Sequence, residues 1–88
     1  MKGRRLPDRF TDKRNFTWDQ VKAGDYFRQR DGGWFVMAPS GEQGSVRAPG
    51  WTITEHEDRT ITVDPSIWFN KERNGYHGYL ERGVWRKA

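Results

Sequence analysis

Cysteine is missing from all 88 residues, which excludes a disulfide framework and any thiolate metal site. A thiol-free chain suits a reducing compartment, and the expected localisation is cytoplasmic. No apolar run approaches the ~18 residues of a membrane span, and the basic N-terminus leads into no apolar signal segment. Neither membrane insertion nor export is therefore expected, and the sequon Asn15-Phe16-Thr17 is expected to stay idle. Hydrophobic residues are scarce, 33% of the chain against 32% charged. A domain of this size buries only about 60% of its unfolded surface, too little to wall off a large catalytic cleft. No repeat, coiled coil or second domain emerges.

Large side chains have to compensate. Five Trp, five Phe and three Tyr are present, each able to bury roughly 150–250 Å². Net charge is +4, and its placement is uneven. Residues 1–14 hold six basic groups against two acidic ones, while ten of each sign balance over residues 15–88. The first segment has no apolar periodicity and contains Pro7, so it reads as a flexible or loosely docked basic arm preceding a compact domain over 15–88.

At the domain entrance Thr17 is a candidate N-cap, Trp18 and Val21 lie three residues apart on one face, and Gly24 can end the turn. One short helical turn is expected there. From Asp25 onward, aromatic and β-branched segments alternate with Gly, Pro, Asp and Asn clusters, the pattern of an all-β fold built of hairpins, a small antiparallel barrel or sandwich. Residues 26–30 and 34–38 flank Asp31-Gly32-Gly33, a strong hairpin turn, and a short strand is expected around 45–47. A three-residue loop Glu57-Asp58-Arg59 pairs Ile53 with Val63 and Thr54 with Thr62. Trp51, Ile53, Ile61 and Val63 then lie on one face and the threonines on the other. Arg59 falls where glycine is preferred, at a cost of ~1 kcal/mol. The last hairpin is expected to turn through Glu81-Arg82-Gly83, setting Tyr79 opposite Trp85 and His77 on their face.

His77 could serve as a base or a ligand, but its nearest acidic neighbours in sequence are Glu72 and Glu81 and there is no thiol. A structural or partner-contacting role is the stronger reading, and no catalytic residue, metal or cofactor is expected. Glu55, His56, Glu57 and Asp58 cluster at a hairpin tip without EF-hand spacing, and Ser40 lacks a nucleophile elbow. Two leads remain. His77, Tyr79 and Trp85 form a face suited to a protein partner, since Trp, Tyr and neighbouring Arg are typical interface anchors. Alternatively Arg4, Arg5, Arg9, Lys13 and Arg14 on the arm could neutralise phosphates of a nucleic acid.

Three stretches carry a resemblance: residues 51–58 (WTITEHED), 60–67 (TITVDPSI) and 76–85 (YHGYLERGVW). Together they resemble a family of small uncharacterised domains of bacteria and their phages. Many bacterial members have a cysteine-rich knuckle before the tryptophan strand and another cysteine before the histidine, which implies zinc. Here the corresponding stretches, residues 38–44 and 71–75, carry no thiol, and Arg59 stands where relatives tend to have glycine. His77 then resembles the vestige of a metal site. The resemblance implies a phage or prophage accessory role, in the host cytoplasm if the protein is phage-encoded. The expectation is a non-catalytic module binding a host or phage protein.

Overall fold

The computed structural model describes residues 1–88. Its eight strands form two four-stranded sheets packed as a sandwich. The first sheet takes β1 (Arg4–Arg5), β2 (Asp25–Arg28), β3 (Trp34–Met37) and β4 (Gln43–Val46) in that order. The second takes β5 (Thr52–Glu55), β6 (Ile61–Trp68), β7 (His77–Glu81) and β8 (Val84–Lys87). Neighbouring strands are antiparallel except β1 and β2, which run parallel. Helical structure is limited to single 3₁₀ turns, three of them before β2 and one at Lys71–Arg73. In the entrance turn, Trp18–Gln20, the Gln20 side chain accepts from the Thr17 amide at 3.4 Å.

The expected alternation holds on β5 and β6. Ile53 pairs with Val63 and Thr54 with Thr62, Arg59 closes the loop at φ 73°, and Ile61 and Val63 face inward. Between the sheets lie Tyr26, Trp34, Val36, Ala38 and Val46 from the first, and Ile61, Val63, Ile67, Leu80 and Trp85 from the second. The first sheet is also covered on its other side. Phe27 and Phe35 point there and pack with Leu6, Phe10 and Val21. Strands β2 and β3 are thus buried on both faces, so they read as unbroken apolar runs without alternation.

That second layer corrects the flexible alternative for the first segment in favour of the docked one. Residues 1–14 are docked: the Leu6 amide donates to Tyr26 O at 2.9 Å and the Gly3 amide to Gly83 O at 2.7 Å. Residues 1–6 run from the free edge of β8 to the free edge of β2 and strap the two sheets together. The physical reason is that Leu6 and Phe10, hidden in a charged segment, bury the outer face of Phe27 and Phe35.

The last hairpin needs a second correction. It turns through two residues, Arg82 and Gly83, at φ 46° and 76°, which is type I′ geometry. Glu81 therefore pairs with Val84, Leu80 with Trp85 and Tyr79 with Arg86. Moving the register by one residue turns every side chain of β8 over. Trp85 goes into the core, 2% exposed, and Arg86 takes its place beside Tyr79. Burying an indole outweighs the ~1 kcal/mol of a left-handed arginine.

Candidate functional site

The outer face of the second sheet collects side chains from three strands. His77 and Tyr79 come from β7, Ser66 and Trp68 from β6 and Arg86 from β8. Of the three residues expected to form a partner surface, His77 and Tyr79 lie here and Trp85 does not. The ring that takes its place is Trp68, 40% exposed, stacked on the His77 imidazole at 4.3 Å and 10°. Its opposition to His77 survives because β6 bulges around Asp64-Pro65. Between the pairs Val63–Leu80 and Ile67–Gly78, three residues of β6 oppose one of β7, an excess of two that keeps Trp68 facing out.

These rings are held in place by neighbours. Ser66 Oγ lies 2.8 Å from His77 Nε2, the Lys71 ammonium sits 5.1 Å over the Trp68 ring, and the Arg86 guanidinium 4.7 Å over Tyr79. Arg86 is itself anchored by Glu81, whose carboxylate raises the guanidinium pKa further through their side-chain hydrogen bond. His77 makes no hydrogen bond to a carboxylate; its side-chain partner is the Ser66 hydroxyl. The other histidine makes the same type of contact, His56 Nε2 to Thr62 Oγ1 at 2.7 Å. Both imidazoles are thus oriented by a hydroxyl on the same sheet, a positioning role that needs no reaction.

The basic residues of the first segment are dispersed. Arg4 grips the buried Asp25 carboxylate through Nη2 at 2.7 Å and Nε at 3.2 Å. Arg5 bonds Glu55 at 2.6 Å and lies 4.9 Å over Trp34, with its Nε buried and without a partner. Arg9 donates to Asn15 O at 3.1 Å and covers Phe10, and Arg14 pairs with Asp12 at 2.9 Å. Of the five, Lys13 alone makes no ion pair or side-chain hydrogen bond. The other four each have an acceptor within the chain.

At the rim of the same face, Glu42 from the turn before β4 joins the first sheet to the β6–β7 connection. It accepts from the Tyr76 amide at 2.8 Å, from Asn70 Nδ2 at 2.8 Å and from Ser40 Oγ at 3.0 Å. The Tyr76 amide first, then Asn70, holds the carboxyl below its ordinary range. With the folded pKa depressed, this contribution is complete above the unfolded pKa and vanishes as pH falls through the folded one. Urea midpoints followed from neutrality to about pH 3 are expected to drop less in Glu42→Gln than in the wild type. Equal drops would show that the carboxylate contributes nothing.

No family model matches the chain, and neither a curated protein nor a solved structure matches it.

Proposed function

We propose that the chain is a non-catalytic binding module that holds a host or phage protein against the outer face of its second sheet, through Trp68, His77 and Tyr79. The observation that carries this reading is the half-exposed Trp68 ring stacked on His77 beside the Tyr79–Arg86 pair. Aromatic rings and arginine dominate interface energetics. Rings already fixed by stacking and by cations lose little side-chain freedom on binding. The phage or prophage setting is part of the proposal and rests on the resemblance of residues 51–85.

Affinity capture from host and infected cells, with and without nuclease, tests it. A protein partner is expected to persist after nuclease treatment, and Trp68→Ala or Tyr79→Ala is expected to weaken its retention by about 2 kcal/mol, roughly thirtyfold. Retention of every captured partner at wild-type strength by both variants would refute the proposal. Capture abolished by nuclease and by salt would favour a nucleic acid as partner instead.

A further inference from the structure

On the opposite side of the molecule a groove of about 320 Å³ opens between the docked first segment and the β2–β3 hairpin. Its apolar wall is Phe10, Trp18 and Phe27. Trp18 is 49% exposed although its rear is braced by Phe16 at 5.1 Å, Phe35 at 5.2 Å and Phe27 at 6.2 Å. The Trp18–Gln20 turn fixes its backbone, with Gln20 N to Thr17 O at 3.0 Å and Val21 N to Trp18 O at 3.1 Å. A rigid indole facing water beside a cavity is an amphipathic platform awaiting an apolar surface.

The charged side chains of the lining are balanced, Lys13 and Arg30 with Asp12 and Asp31. Asp12 is paired with Arg14 at 2.9 Å and with Arg30 at 3.6 Å, while Asp31 is paired with Arg47 and accepts from the Gly33 amide at 3.0 Å. An anion would meet these carboxylates and a cation would meet these guanidinium groups, so a neutral ligand is favoured. Each carboxylate–guanidinium pair offers an acceptor next to a donor, and so does the Gln29 amide. Adjacent hydroxyls, each both donor and acceptor, match that arrangement. A wholly apolar ligand would bury these polar groups without replacing their water.

We infer that this groove, formed by Trp18 and Phe27 against the Asp12–Arg30 pair and Gln29, binds a neutral saccharide, one C–H face on the indole and its hydroxyls toward the charged pairs. The inference is independent of the protein-binding face and lies on the other sheet.

Titration of the ¹⁵N-labelled full chain tests it, with the indole N–H resonance of Trp18 as the probe. The ligands are the neutral trisaccharides chitotriose, cellotriose and maltotriose, with tri-galacturonate as the charged comparison. At least one neutral trisaccharide is expected to shift the Trp18 resonance saturably, and Trp18→Ala is expected to weaken its binding, followed on backbone amides, by about tenfold or more. Trp18→Leu, which keeps apolar bulk without a ring, takes its place if the alanine variant fails to fold. Trp68→Ala is expected to bind the sugar as the wild type does. Absence of a saturable shift with all three neutral sugars would overturn the inference. A response to tri-galacturonate alone, or unchanged affinity on loss of the Trp18 ring, would do the same.

Discussion

Trp85→Ala is expected to leave the domain largely unfolded at room temperature. The indole is 2% exposed and packs among the inner residues of both sheets, with the Tyr76 ring edge-on at 6.0 Å. Its Nε1–H donates to Gly24 O at 3.0 Å in a buried contact that ties β8 to the start of β2. Truncation removes about 3–5 kcal/mol of packing and one hydrogen bond worth about 1 kcal/mol net, leaving the Gly24 carbonyl only the Arg4 amide at 3.4 Å. A domain this small has a total stability near the low end of about 5–15 kcal/mol. Trp85→Phe keeps most of the packing and loses the hydrogen bond, so an intermediate melting temperature is expected. Thermal melts followed by circular dichroism check both. A Trp85→Ala midpoint within about 4 °C of wild type, the equivalent of ~1 kcal/mol, would contradict the inward placement of this ring.

Deletion of residues 1–14 is expected to be about as damaging, whereas a flexible arm could be removed without effect. The deletion takes away Leu6 and Phe10, two of the five residues that form the second core cluster. Each is worth roughly 2–5 kcal/mol by the usual cost of emptying such a site. It also removes Arg4 from Asp25, which is 3% exposed and would keep a buried charge without its cation. Pairing at the free edges of β2 and β8 goes as well. Proteolysis and amide exchange of the shortened chain are expected to report an unfolded or molten state. A native-like spectrum from residues 15–88 alone would show that the strap is dispensable.

These two cases also show where the fold was legible in the residue order. Over residues 52–54 and 60–63 threonine alternates with isoleucine or valine and only one face meets the core, so register and the left-handed Arg59 follow from periodicity. Glu81-Arg82-Gly83 satisfies two turn types equally well, and what decides between them is the burial of Trp85 against a sheet distant in sequence. In the first segment, six basic side chains mask Leu6 and Phe10, whose value depends on the aromatic surface they cover. The candidate site shows the same division. His77 and Tyr79 lie two apart on one strand, which local spacing reveals. Trp68 reaches them only across the bulge at Asp64-Pro65, where strand alternation loses its local signature. In the basic segment charge is visible in sequence and its ion pairing is not. Asp25 and Glu55, which engage Arg4 and Arg5, lie far along the chain.

Both functional proposals depend on which tryptophans face water. Hydroxyl-radical footprinting with mass-spectrometric readout measures that on the native chain in one experiment. Trp18 and Trp68, 49% and 40% exposed, are expected to be oxidised readily, while Trp34 and Trp85, 4% and 2% exposed, are expected to be protected until the protein is denatured. Protection of Trp68 together with rapid oxidation of Trp85 would place the wrong ring on the outer face of the second sheet and contradict the account.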